Sequence, residues 1–66
     1  MNETILAWGL WMTRDHRDRF LGWFPSAAEA ARVMARESRE ARERGDRVTF
    51  NLQESKVEAR RVAAVS

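Results

Sequence analysis

Large apolar residues recur at every second position near the start of the chain, as they do along one face of a β-strand. In the run Thr4–Arg14, one set of alternate positions carries large apolar side chains, and the other set is mostly apolar as well. A second β-favouring run, Arg19–Phe24, follows the polar break Asp15–Asp18. Two such runs separated by a short polar break predict an antiparallel hairpin.

The glycines of this hairpin suggest its register. We expect Arg14 to lie opposite Arg19, because each glycine is then covered by an aromatic residue of the other strand. Such cover is a known way to stabilise glycine in a strand. The two expected pairs are Gly9 with Phe24 and Gly22 with Trp11.

The segment from Ser26 to Gly45 carries the signals of an α-helix at both ends and along its length. Ser26 and Glu29 have the spacing of an N-terminal capping box, and Pro25 precedes them. The interior consists of strong helix formers, chiefly Ala, Arg and Glu. Gly45 supplies the left-handed residue that commonly ends a helix. The apolar stripe is made of small side chains, so we expect the helix to approach a larger apolar surface closely.

Alternation returns after the helix and predicts a third strand over Arg47–Gln53. The tail, Ser55–Ser66, permits two interpretations. Its apolar residues alternate as in a strand, whereas Ser55 and Glu58 offer a second capping box for a helix. We expect a fourth strand, because the gap after the third strand is short and the valines are spaced for a hairpin.

These elements predict one α+β domain over residues 1–66, in the order β-β-α-β-β, with one helix lying across an antiparallel sheet. One helix covers only one face of a sheet, yet the hairpin is apolar on both faces. We expect the core on the face that carries the larger set of side chains. The predicted core residues are Leu6, Trp8, Leu10, Met12, Leu21, Trp23, Met34, Val48, Phe50 and Leu52.

The other face of the predicted sheet would leave Ile5, Trp11, Phe20 and Phe24 uncovered. Contiguous exposed aromatic residues commonly mark a contact surface, and Trp is a favoured anchor at interfaces. We expect Trp11, Phe20 and Phe24 to contact another protein or a second copy of the chain. The alternative is that the C-terminal tail folds back over them.

Composition narrows the classes of function. The chain has 66 residues and no Cys, so neither a disulfide nor a thiolate zinc site can stabilise so small a core. Its 12 basic and 10 acidic residues leave a net charge of +2, which alone does not indicate a nucleic-acid partner. The apolar run near the N-terminus is too short to span a membrane, and no basic segment precedes it. We therefore expect a cytoplasmic protein.

Charged residues supply the remaining candidate contacts. Arg32, Arg36 and Arg39 share the solvent side of the predicted helix and would extend a partner-binding surface. Their acidic neighbours make a solvated, ion-paired helix face the simpler interpretation. An alternative function is nucleic-acid binding, in which Trp11 and Phe20 stack on bases and arginines contact phosphates. The arginines of that alternative are Arg14, Arg17 and Arg19.

Catalytic and metal-binding patterns are not found in the sequence. His16 is the only histidine, and it lies in the predicted turn between Asp15 and Asp18. No nucleophile–base pair or set of metal ligands can be assembled around it. We therefore expect a protein that is not an enzyme and that uses no cofactor.

A hairpin leads the predicted order of elements and a helix follows it. The helix opens with Ser26-Ala27-Ala28-Glu29-Ala30 and continues through Met34-Ala35-Arg36-Glu37, and a strand at Val48–Leu52 comes next. This arrangement resembles the small phage-encoded anti-CRISPR proteins. The resemblance implies an inhibitor in the host cytosol that binds and blocks a CRISPR complex or nuclease without catalysis. It transfers no site residues, because these proteins share no site motif. The near balance of charge also differs from the acidic members that mimic DNA.

Overall fold

The structure, a computed structural model, describes residues 3–63 and contains three strands, one α-helix and one 3₁₀ turn. The strands form an antiparallel sheet in the order β2-β1-β3, and the helix lies against one face of it. This confirms the α+β class. The elements are β1 (Thr4–Arg14), β2 (Arg17–Phe24), α1 (Ala27–Arg44), β3 (Thr49–Glu58) and the 3₁₀ turn Ala59–Arg61.

Both predicted ends of α1 are confirmed. The Ser26 hydroxyl oxygen accepts a hydrogen bond from the Glu29 backbone N–H at 3.1 Å, which satisfies one of the orphan donors of the first turn. Gly45 adopts the left-handed conformation, with φ 77°. Its N–H donates to the Arg42 carbonyl at 3.1 Å, while the next N–H, from Asp46, donates to the Ala41 carbonyl at 2.8 Å. This pair of bonds is the Schellman arrangement that closes a helix C-terminus.

The hairpin differs from its predicted register at two points. The turn contains only Asp15 and His16, both with positive φ, so Arg14 pairs with Arg17 and not with Arg19. Farther along, Trp11 pairs with Phe20 and Leu10 pairs with Gly22, so Leu21 is an extra residue on β2. Such a bulge reverses the sides to which later residues point. The two corrections together place Trp23 opposite Gly9 and Phe24 opposite Trp8.

The predicted fourth strand is wrong within the described residues. Residues 55–58 continue β3, which runs without interruption from Thr49 to Glu58 beside β1. The chain then makes the 3₁₀ turn, and Val62 forms a single parallel bridge with Trp23. Positions 64–66, which the predicted strand included, lie outside the described residues.

The core lies between α1 and the near face of the sheet. Leu10 is fully buried there, together with Ala30 and with Phe24, which is 9% exposed. Four residues of the predicted core are neither buried nor packed against this cluster. Trp23 points to the opposite face, and Leu6 is 52% exposed. Trp8 and Val48 are only half-buried, and Val48 precedes β3. The side chains that pack around this cluster are Leu21, Val33, Met34, Phe50 and Leu52.

Candidate functional site

Three aromatic side chains meet on the face of the sheet that α1 does not cover. Trp11 comes from β1, and Phe20 and Trp23 come from β2. The ring centroids of Trp11 and Phe20 are 4.9 Å apart, those of Phe20 and Trp23 are 5.4 Å apart, and those of Trp11 and Trp23 are 6.0 Å apart. The tilted and edge-on contacts are favourable geometries for aromatic rings. The three rings therefore form one preassembled cluster.

Apolar residues continue this surface toward the end of β1. Ile5 and Val57 are paired across the ladder on the same face, and Ala7 between them and the rings is fully buried. We call the surface formed by Ile5, Trp11, Phe20, Trp23 and Val57 the aromatic face. Its members remain half-exposed, and Phe20 is 44% exposed.

The rest of this side of the sheet is polar but almost uncharged. Alternation along the three strands places one charged residue on it, Asp18, which accepts a hydrogen bond from the Thr13 hydroxyl. The β3 residues on this side are neutral hydrogen-bonding side chains, followed by Val57: Thr49, Asn51, Gln53 and Ser55. An apolar centre with a neutral polar rim is a typical composition for a protein–protein contact.

Two of the three predicted aromatic site residues lie where the sequence placed them, and the third does not. Trp11 and Phe20 are on the aromatic face, whereas Phe24 is in the core beneath α1. Trp23 takes the place expected for Phe24 and was missed. The feature that exchanges the two residues is the bulge at Leu21, because the two-residue turn at Asp15 and His16 moves the pairing by two positions and leaves each side chain on its predicted face.

The helix arginines are far from the aromatic face. Arg32, Arg36 and Arg39 are exposed on α1, which occupies the other side of the sheet. Arg32 donates to the Glu29 carboxylate at 3.0 Å, as expected for a solvated helix face. Arg36 is the exception in position, because it lines a groove together with Phe20 at the margin of the aromatic face.

The hairpin arginines also lie on the α1 side of the sheet. Arg14, Arg17 and Arg19 line an open cleft of about 920 Å³, together with Glu37 and other acidic residues of the turn and helix. Arg14 contacts the Asp46 carboxylate at 3.3 Å. The structure therefore places Arg14 and Arg17 on the opposite side of the sheet from Trp11 and surrounds them with acids. Arg19 also lines a smaller groove together with its neighbour Phe20.

Residues 3–63 contain neither a cluster of metal-ligand side chains nor a membrane-spanning helix. His16 is exposed in the hairpin turn. The described residues hold no group of three or more His, Cys, Asp or Glu side chains placed to bind a metal ion. Within the same residues, no helix has both the length and the apolar character needed to cross a membrane.

Comparisons of the chain with protein families, curated proteins and solved structures give no match. Any inference about its function therefore depends on the geometry described above and on the sequence.

Proposed function

We propose that the chain is a non-enzymatic protein-binding module whose contact surface is the aromatic face. The observation that carries this proposal is the cluster of Trp11, Phe20 and Trp23 on a sheet face that the helix leaves open. Trp is among the residues most enriched in binding hot spots. Because the rings already pack against one another, a partner would order few further side chains on binding.

The exposure of the aromatic face supports the same proposal. Phe20 is 44% exposed, and Trp11 and Trp23 are half-exposed. Burying apolar area stabilises a protein by roughly 25 cal/mol per Å². A domain with so small a core gives up stability by leaving a sheet face open, and a binding role explains why the open face persists.

The charges favour a protein partner over a nucleic acid. Binding to a phosphate backbone requires a basic surface, and the aromatic face carries no arginine or lysine. Stacking of bases on Trp11 and Phe20 would leave Arg14 and Arg17 on the opposite side of the sheet, with only Arg19 beside Phe20. The partner surface is expected to be apolar at its centre and neutral at its rim.

The resemblance to anti-CRISPR proteins suggests the first class of partner to test. In this proposal the chain acts in the host cytosol as a phage or mobile-element inhibitor, and its aromatic face blocks a CRISPR effector. Only the resemblance supports this narrower statement; the geometry supports protein binding in general.

Two variants with opposite expected effects test the proposal. Phe20→Ser removes an exposed ring from the aromatic face, and we expect it to abolish capture of CRISPR effectors and other lysate proteins while the fold is kept. Leu6→Ser is the matched control, because Leu6 is equally exposed but lies on the α1 side of β1. Captured proteins would be identified by mass spectrometry, and folding by circular dichroism.

Equal capture by both variants would show that the aromatic face is not the contact surface. Salt-sensitive binding to single-stranded DNA that is lost on changing Arg14 or Arg17, and weakened by Phe20→Ser because Phe20 stacks on a base, would support the nucleic-acid alternative and contradict the proposal.

A further inference from the structure

The outer edge of β3 is long and regular, and no strand of the described chain pairs with it. Natural proteins shield such edges with charged side chains, bulges, proline, short strands or a covering segment. The opposite edge of the sheet, β2, has a bulge at Leu21 and is covered by the tail, where the Ala63 N–H donates to the Trp23 carbonyl at 2.8 Å. β3 has ten residues and neither a bulge nor a proline, so its protection is limited to the charges of Glu54, Lys56 and Glu58.

The direction of the free backbone groups on β3 follows from a hydrogen bond at its end. The Ala59 N–H donates to the Glu3 carbonyl at 2.7 Å. The backbone N–H and C=O groups of the odd-numbered residues of this segment therefore point toward β1. Neighbouring residues of a strand point their N–H and C=O groups in opposite directions. The outward groups therefore belong to the even-numbered residues: Phe50, Leu52, Glu54, Lys56 and Glu58.

The charges along this edge are complementary to those of a second, antiparallel copy of β3. Glu54 and Lys56 flank Ser55, and the backbone groups of both point away from β1. If two β3 strands run antiparallel about a two-fold axis at Ser55, Glu54 of each copy faces Lys56 of the other. Both are residues whose backbone groups point outward, so the same register that pairs the charges also forms the hydrogen bonds. A register centred on Glu54 or on Lys56 would instead place like charges opposite each other.

We infer that the chain forms a homodimer in which β3 pairs with β3 of a second copy, in the register centred on Ser55. The two three-stranded sheets then become one sheet of six strands. Both helices lie on one side of this sheet and both aromatic faces on the other. The edges that remain are the two β2 strands, each protected by its bulge and tail, so the assembly closes at two copies.

This inference does not depend on the proposed function. Edge pairing uses the backbone of β3 and the charges on the α1 side of the sheet, while partner capture uses rings on the other side. Dimerisation would place two aromatic faces side by side and raise the avidity for a partner that has two matching sites.

Charge variants test the register. Lys56→Glu places acids opposite acids, and Glu54→Lys places bases opposite bases, at two symmetric positions in each case. Because two cross-strand pairs change from attraction to repulsion, we expect each variant alone to dimerise about tenfold more weakly than the wild type. An equimolar mixture of the two variants restores both attractions, and we expect it to form a heterodimer with wild-type affinity.

Sedimentation equilibrium over a range of concentrations measures these affinities, and circular dichroism verifies that each variant is folded. The double variant Glu54→Lys/Lys56→Glu exchanges the charges within one chain and should dimerise as the wild type does. The inference is overturned if the wild type stays monomeric up to about 1 mM. It is also overturned if the charge variants dimerise normally, or if Phe20→Ser abolishes the dimer while both charge variants keep it.

Discussion

Gly9 of β1 lies directly opposite Trp23 of β2, and the indole ring covers it so closely that a Cβ atom at Gly9 would lie 2.7 Å from Trp23 Cζ3. Trp11 closes the same space from its own strand, since its Cη2 and Cζ3 atoms would be 2.8 Å from that Cβ. Real Cβ atoms essentially never approach other heavy atoms this closely. The absence of a side chain at Gly9 is therefore what allows the aromatic rings to pack together over the sheet.

Gly9→Ala should separate these rings. Overpacking of this kind typically costs about 1–3 kcal/mol, and we expect a loss of stability in that range. The indoles would move outward into water, so tryptophan fluorescence should shift to longer wavelength. Gln53→Ala is the control, because Gln53 pairs with Gly9 from β3 but is exposed. A Gly9→Ala protein with unchanged unfolding midpoint and emission would show that the rings are not held as described.

The two phenylalanines of β2 should respond differently to the same substitution. Phe24→Ala empties a core position and should cost about 3–5 kcal/mol, comparable to the stability of a domain this small. Phe20→Ala removes a ring that is 44% exposed and should cost much less. Urea unfolding followed by circular dichroism compares them. Equal losses would contradict the assignment of these residues to opposite faces.

The N-terminal cap of α1 gives a third prediction. Ser26→Ala removes the acceptor for the Glu29 N–H and should lower the free energy of unfolding by about 1 kcal/mol. Ser38→Ala makes the same chemical change in the middle of the helix, where alanine is favoured, and should not destabilise the protein. Thermal unfolding of both variants measures the difference, and equal melting temperatures would rule out a contribution from the cap.

Replacing His16 in the hairpin turn with glycine should raise the free energy of unfolding. Asp15 and His16 have φ of 52° and 64°, the left-handed values that a two-residue turn of this type requires. His16→Gly relieves the left-handed penalty but loses more backbone entropy on folding. We expect a net gain of about 0.5–1 kcal/mol. Chemical denaturation provides the measurement, and a destabilised His16→Gly protein would mean that the His16 side chain makes a contact worth more than this strain.

The limits of α1 could be predicted from the sequence because the signals at Ser26 and Gly45 are local. Each forms its hydrogen bonds within a few residues, so no distant contact can override it. The register of the hairpin could not be predicted in the same way. It depends on a turn formed by Asp15 and His16, neither of which is glycine, and on a bulge at Leu21 that is visible only when both strands are paired.

Much of the error in the candidate site comes from that register. One extra residue on β2 exchanges the sides to which Trp23 and Phe24 point. An aromatic residue was therefore correctly predicted on the aromatic face, but it is Trp23 and not Phe24. The tail was misjudged for a related reason. The alternation at Val57 is that of a strand, but with no turn residue near Glu54 and Ser55 the strand is a continuation of β3.

The central position of β1 determines the order in which the chain can fold. Its partner β2 follows after a two-residue turn, whereas its other partner, β3, is made only after the whole of α1. Contacts that close a long loop form slowly compared with those of a hairpin. We therefore expect the hairpin and helix to form first. During synthesis, the backbone N–H and C=O groups along one edge of β1 would then stay unpaired until β3 has left the ribosome. That interval is the period in which the nascent chain is most exposed to aggregation and has most need of a chaperone.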